Sequence, residues 1–487
     1  MHEIPVTPLA VEPLLKVIGS IRYSQLHAAL TAARELLGDR VVWNVNSAGA
    51  GGGVAEMLAR VLGYFGGAGV ATPWLVVDGD EEFFITTKRL HNALHGMPGD
   101  GGPLGPVERR HYEDVLAANA SDLGRRVRPG DVAVLHDPQV LGLAASLRQA
   151  GVTVVWRSHI GADSVNPHTE RGWAFLRPDL GPVDAFVFSR QAYAPRWLEA
   201  PVFVMPPTID PLSVKNQAVD DATTASVLEA AGIVAGGSSG TTPHAHGGPY
   251  EAEIIRSGPA PDGDVPLVVQ VSRWDSLKDP SGFVDAFRHV EDRGCHLVVA
   301  GPQPGMVADD PEAARVLSEC VAVYECLPAD RRRRVHLVSL PIADVDANGL
   351  MVNALQRHAA VVVQKSLAEG FGLTVTEAMW KDRPVVASGV GGIRDQIVDR
   401  RHGWLLDDPR DPLAVAGAVD RLLAEPAYAA SLGAAAGQRV RKSSSTTASC
   451  GTGSSCSRRW FPDGPRCRPG SAHDGHRGQS SLIAPGM

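Results

Sequence analysis

Twice along this chain, short apolar runs alternate with longer helical ones, and glycine-rich turns join them. That alternation is the pattern of a doubly wound parallel sheet. The first set of strands is expected at Val41–Ser47, Trp74–Asp78, Asp131–Asp137, Val152–His159, Ala185–Ser189 and Val202–Met205. The second is expected at Leu267–Arg273, His296–Ala300, Val335–Ser339, Ala360–Val363, Val385–Ser388 and Gly403–Leu406. With 487 residues the chain exceeds one ordinary core, so each set forms its own α/β domain, over 1–215 and 265–440. Residues 216–264 read as a linker or surface excursion, because Gly236–Gly248 is too polar and glycine-rich to pack, and His244 and His246 within it are incidental.

In doubly wound sheets, ligands bind beyond the carboxyl ends of the strands. Chemistry-bearing residues cluster at those ends here. Gln364–Trp380 reads as strand, Gly370-Phe371-Gly372 turn, then helix. Unpaired amides at the helix start carry about half a positive charge and favour anions or sugar hydroxyls. Glu369 precedes the turn and Glu377 follows two helical turns later, so both carboxylates can face one cleft. A capping carboxylate and a solvated helix face would account for the same two glutamates. Arg273 and Lys278 share one strand-to-helix loop, and two such cations can hold a diphosphate. Asp275 and Asp279 in that loop would partly neutralise them. In the first set, Gly51, Gly52 and Gly53 precede a helix at Val54–Leu62. Their spacing is neither a dinucleotide fingerprint nor a P-loop, yet three glycines let a ligand approach the backbone. His136, Asp137, Arg157 and His159 all end strands on one edge, which favours a site over four separate structural roles.

Several function classes are excluded. A net charge of −8 argues against nucleic acid as a partner. No apolar run approaches the roughly 20 residues that span a bilayer, and no basic amphipathic helix suits a membrane surface. The first residues carry no secretory pattern, and six cysteines without a CxxC pair fit a reducing cytoplasm and no zinc site.

Two doubly wound domains, the Arg273…Lys278 loop and the Glu369…Glu377 pair together resemble the GT-B glycosyltransferases of the retaining family 4 type. Several ordered motifs narrow the likeness: His136-Asp-Pro-Gln139, Trp156-Arg-Ser-His159, Thr208-Ile-Asp-Pro-Leu-Ser213, Val271-Ser-Arg-Trp-Asp275, Lys278-Asp-Pro280, Val352-Asn-Ala-Leu-Gln356 and Gln364–Trp380. Over most of the chain up to residue 440 they are similar to the glycosyltransferring trehalose synthases. The resemblance implies that a nucleoside-diphosphate glucose (ADP-, UDP- or GDP-) and glucose give α,α-trehalose, reversibly and with retention. It makes 1–215 the acceptor domain and 265–440 the nucleotide-sugar domain. It implies that Arg273 and Lys278 hold the diphosphate and that Glu377 takes the ribose hydroxyls. Glu369 and the Gly370, Phe371 and Gly372 amides would hold the donor glucose. His159 would contact that glucose from the other domain, and Gly51–Gly53, His136 and Asp137 would border the acceptor. No cofactor is obligatory, Mg²⁺ being at most a counter-ion of the diphosphate, and a homodimer is compatible with the sequence.

The chain departs from that pattern in two places. After His159-Ile160, where the family commonly carries Asp, stands Gly161, with Asp163 two residues on. Beyond an alanine-rich helix, residues 441–487 form an atypical tail expected to be disordered. A naturally disordered tail and a shifted reading frame both stay open: serine codons beginning TC, and cysteine codons, read one base earlier give apolar residues, and suitable third bases make Lys442–Gly453 an amphipathic helix. Family members end in such a helix, which braces the first domain. Three alternatives stay open on sequence alone: a trehalose phosphorylase-like enzyme using phosphate, an inactive sugar-nucleotide-binding relative, and a glycosyltransferase acting on lipid or protein.

Overall fold

A computed structural model describes residues 1–50, 52–236, 250–291, 293–304 and 312–443. Gly51, His244, His246 and the tail beyond 443 lie outside the described residues.

The first domain is a seven-stranded sheet of β1 (His2–Ile4), β2 (Val42–Asn46), β3 (Trp74–Val76), β4 (Val132–His136), β5 (Thr153–Ser158), β6 (Ala185–Phe188) and β7 (Val202–Val204). Their spatial order is β1-β3-β2-β4-β5-β6-β7. Only β1 runs antiparallel, pairing Glu3 with Leu75. The second domain has β8 (Glu253–Ile255), β9 (Leu267–Val271), β10 (His296–Pro302), β11 (Val335–Leu340), β12 (Val361–Gln364), β13 (Val385–Ser388) and β14 (Trp404–Leu406). Their order is β14-β13-β12-β9-β10-β11-β8, with β8 alone antiparallel. Helices cover both faces, so the central strands are apolar at nearly every position, as Leu267–Val271 shows.

The linker expectation for 216–264 needs correction. Asp220 caps a helix, Asp221–Ala230, by accepting from Thr223 N at 2.7 Å. Val227, Leu228, Ile233, Val234 and Tyr250 are buried in the core of the second domain. Glu253–Ile255 adds an edge strand, pairing Ile254 with Val338. The glycine-rich stretch dominated the sequence reading, while the apolar residues flanking it belong to the core.

The last described helix, Pro426–Ser443, packs on the helix Leu373–Trp380 and buries Ala436 and Val440. Its end reaches the first domain. Arg22, on the helix Ser20–Leu37, donates to the carbonyls of Arg441 and Lys442 at 2.5 Å each. Those are last-turn carbonyls that have no partner within the helix. Among the described residues, no helix is long and apolar enough to cross a membrane.

Candidate active site

The carboxyl ends of both parallel sheets face one cleft, with a cavity of about 270 Å³. From the first domain it is lined by Gly52, Gly53, His91, His95 and His159, and from the second by Arg273, Lys278, Glu369–Gly372 and Glu377. A smaller recess against the first domain is bordered by Gly52, Gly53, His136, Asp137, His91 and Arg273. The structure therefore brings together the site residues expected from sequence apart from Gly51, which lies outside the described residues, and Arg157, which lines neither cavity.

The β9 loop is organised by Asp275. Its Oδ1 accepts from Leu277 N at 2.8 Å, fixing the turn. Its Oδ2 takes Arg273 Nη2 at 3.0 Å and, from the first domain, Lys88 Nζ at 2.9 Å. Burial opposes ionisation, but Lys88, Arg273 and Lys278 hold this carboxyl well below the usual range. Lys278 Nζ in turn donates to Glu369 Oε2 at 2.6 Å, and Ser366 Oγ donates to the same oxygen at 3.2 Å. Asp279 serves another purpose than neutralising this loop. It caps the helix Pro280–Ala286 through Gly282 N and pairs with the buried Lys365.

The Gly370–Gly372 turn meets the first domain through backbone. Tyr193 Oη donates to the carbonyls of Glu369 and Gly370, at 3.0 and 2.7 Å. A Cβ on Gly370 would lie 2.5 Å from the His159 carbonyl oxygen, so only glycine permits this approach. Gly372 has φ of 88° and starts the helix Leu373–Trp380 without a side-chain cap, leaving its first amides available.

Glu377 points from that helix into the cleft. Its Oε1 is 3.3 Å from Lys215 Nζ, which also bonds Glu56 at 2.9 Å. Its Oε2 is buried with no partner. Burial pushes the Glu377 carboxyl up, and pushes the neighbouring Lys381 ammonium down to about 7. Lys381 Nζ is held by Asn216 Oδ1 at 3.0 Å and Gln356 Oε1 at 2.8 Å.

On the first domain, Asp137 adopts φ of 64° and its Oδ1 accepts from His159 N at 2.7 Å. Trp156 Nε1 donates to the Asp137 carbonyl at 2.9 Å. His136 Nδ1 lies 3.0 Å from His159 Nε2. Arg157 pairs with His136 on this edge but is half-buried, with Nη2 3.9 Å from Met57 Sδ, and lines neither cavity. Burial pushes its guanidinium down to about 10.

Sequence reading missed His91 and His95, whose rings meet at 4.8 Å. Lys88, His91 and His95 recur at three and four residues along and just past the helix Glu81–Leu94. That spacing was visible but gave no reason to place this face against the cleft. Burial, with Lys278 nearby, pushes His95 down to about 4. The departure at Gly161 also has a structural cause. A Cβ there would lie 2.2 Å from Tyr193 Cγ. Asp163 accepts from Gly391 N across the cleft at 2.9 Å. Among the described residues, no group of three or more His, Cys, Asp or Glu is placed to hold a metal ion.

Two facing Rossmann-like sheets, with cations and a carboxylate loop at their shared carboxyl edge, define a GT-B glycosyltransferase. The trehalose synthase N-terminal domain family matches residues 44–195, and the glycosyl transferases group 1 family matches 265–425. The chain is 34% identical over 415 residues to the trehalose synthase of Rubrobacter xylanophilus, covering 84% of this chain and 88% of that one. It is 32% identical over 392 residues to the trehalose synthase of Thermococcus litoralis, covering 79% and 83%. A solved trehalose-6-phosphate synthase shares the fold, with a TM-score of 0.63 at 14% identity over 87% of this chain and 99% of that one. The chain belongs to the trehalose synthase family.

Proposed function

We propose that this chain transfers glucose from a nucleoside-diphosphate glucose to glucose, giving α,α-trehalose and the nucleoside diphosphate, reversibly and with retention. The observation that carries this reading is the Lys278–Glu369 contact of 2.6 Å inside the cleft. It sets a diphosphate-sized cation beside a carboxylate suited to sugar hydroxyls, under a loop of open amides. Arg273 and Lys278 take the negative charge that builds on the leaving diphosphate. That stabilisation lowers the barrier without a general acid, because the leaving group is already acidic. Glu377 Oε2, buried and unpartnered, is suited to accept from a ribose hydroxyl. Glu369 and the Gly370–Gly372 amides hold the donor glucose, and His159 meets it from the first domain. Gly52, Gly53 and the His136-Asp137 strand end border the acceptor.

Retention follows from front-face attack. The acceptor oxygen bonds the anomeric carbon on the face from which the phosphate oxygen departs, and that phosphate takes the acceptor proton. A covalent route would need a carboxylate nucleophile on the acceptor side. The carboxylates there are engaged elsewhere, Glu56 with Lys215 and Asp137 with His159 N. A closed cleft keeps water from competing with the acceptor. Mg²⁺, if it takes part, accompanies the diphosphate as a counter-ion with no dedicated protein ligands.

The test supplies glucose with ADP-, UDP- or GDP-glucose in turn, with Glu369→Ala as control, and reads the product anomer by NMR. α,α-Trehalose from at least one donor, lost in the control, supports the reading. No trehalose from any donor overturns it, and phosphate with trehalose then tests the phosphorolytic alternative.

A further inference from the structure

Asn44, in the middle of β2, is buried, and its amide has one kind of partner at each end. Nδ2 donates to the Val42 carbonyl at 3.1 Å, and Oδ1 lies 3.2 Å from His136 Nε2. A carbonyl only accepts, so Val42 sets which way the amide points. Flipping it would leave two acceptors facing each other. Oδ1 also only accepts, so the proton of the next contact sits on His136 Nε2. A neutral imidazole carries one proton, which leaves a lone pair on His136 Nδ1. His159 Nε2, 3.0 Å from it, is therefore the donor. The other nitrogen of His159, Nδ1, keeps its lone pair and has no protein partner among the described residues. Burial and the nearby Arg157 keep both rings neutral, pushing His136 down to about 3 and His159 well below the usual range.

A second histidine pair shows what is particular here. His296 Nδ1 lies 2.9 Å from His336 Nε2 across β10 and β11, with ring planes 10° apart. That pair is away from the cleft lining, and it ends on His336 Nδ1, buried without a partner. Ring contact alone is thus a packing solution. The asparagine that gives the chain a direction, and the cleft at its far end, distinguish the Asn44–His136–His159 chain.

We propose that Asn44 and His136 are positioning residues: they fix His159 as the Nε2–H tautomer, so that Nδ1 accepts a hydrogen bond from a sugar hydroxyl in the cleft. Naming a sugar as ligand rests on the transfer reading above, whereas the direction of the chain is a property of the protein alone. A sugar hydroxyl meeting His159 must then donate, which leaves its own oxygen lone pairs to other donors in the cleft.

The experiment is histidine-labelled ¹⁵N–¹H long-range correlation NMR at neutral pH on the full chain, alongside transfer kinetics. The wild type is expected to show His136 and His159 both protonated at Nε2. Asn44→Leu is expected to mix the His159 tautomers. Asn44→Leu and His136→Leu are expected to lower kcat/KM about tenfold, the scale of one hydrogen bond. His136→Gln, which keeps one donor and one acceptor in place, is expected to recover part of what His136→Leu loses. A wild-type His159 protonated at Nδ1, or tautomers unmoved by Asn44→Leu, overturns the relay. So does a His136→Gln no better than His136→Leu. The wild-type spectrum decides even if a variant fails to fold. Expected tautomers without trehalose from any donor would sink the transfer reading and leave the relay standing, and trehalose with the wrong tautomer would do the reverse.

Discussion

Lys278 and Glu369 lie on different loops of the second domain, 91 residues apart in sequence, yet join at 2.6 Å at the floor of the cleft. The cation proposed to hold a diphosphate and the carboxylate proposed to hold a sugar are thus set by one contact. Replacing either one then disturbs both halves of the proposed donor site. Glu369→Gln keeps the size but loses the charge, and Lys278→Ala removes the cation. Both are expected to lower kcat by about 10²–10³ with a smaller change in KM, since the charge they stabilise develops mainly in the transition state. Steady-state kinetics with saturating glucose decide this. An equal rise in KM with kcat untouched would assign the pair to ground-state binding.

Gly161 stands where Tyr193 packs, so Gly161→Asp forces the ring aside. The expected cost is about 1–3 kcal/mol, typical of overpacking a buried site. Adding Tyr193→Ala should relieve the clash while losing the bonds to Glu369 and Gly370. Chemical denaturation of the single and double variants checks this, and additive losses would show that the two positions do not touch.

Gly370→Ala tests the backbone approach between domains. Its methyl would meet the His159 carbonyl oxygen at 2.5 Å, so the domains must separate there. Small-angle scattering is expected to show a larger radius of gyration than wild type, with activity reduced. An unchanged scattering curve would mean that the loop yields locally instead.

Of four histidines near the cleft, His95, His136 and His159 are buried and His91 half-buried, and the loss of solvent holds each below its ordinary range. The unfolded chain binds their protons near pH 6.5. A folded pKa below the unfolded one makes stability complete above about pH 6.5 and drains it as pH falls towards the folded values. For His95 and His136 those are about 4 and about 3. Each contributes at most about 1.4 kcal/mol per pH unit in that window. Urea denaturation between pH 7.5 and 5 should show falling stability, with a shallower slope in His136→Gln. A flat profile would mean these rings are solvated.

The paired sheets were legible because parallel strands buried on both faces write themselves as unbroken apolar runs, as in Val361–Val363 and Leu267–Val271. The edge strands His2–Ile4 and Glu253–Ile255 were not, since three mostly exposed residues at a sheet edge carry no such run. Glu369 and Glu377 could be paired by helix geometry, and Arg273 and Lys278 by a shared loop. His95 and Lys215 could not, because nothing local says which face of a helix or which connecting segment will close over a cleft. Gly161 read as a lost acid. Its meaning lay in Tyr193, which only the fold puts beside it.

Tyr193 is rooted in the first domain but holds two carbonyls of the loop in the second. The first domain and the Gly370–Gly372 turn are therefore tied together by one side chain. Any separation of the two domains at this point must first break those bonds, so the rate at which they break limits the rate of opening.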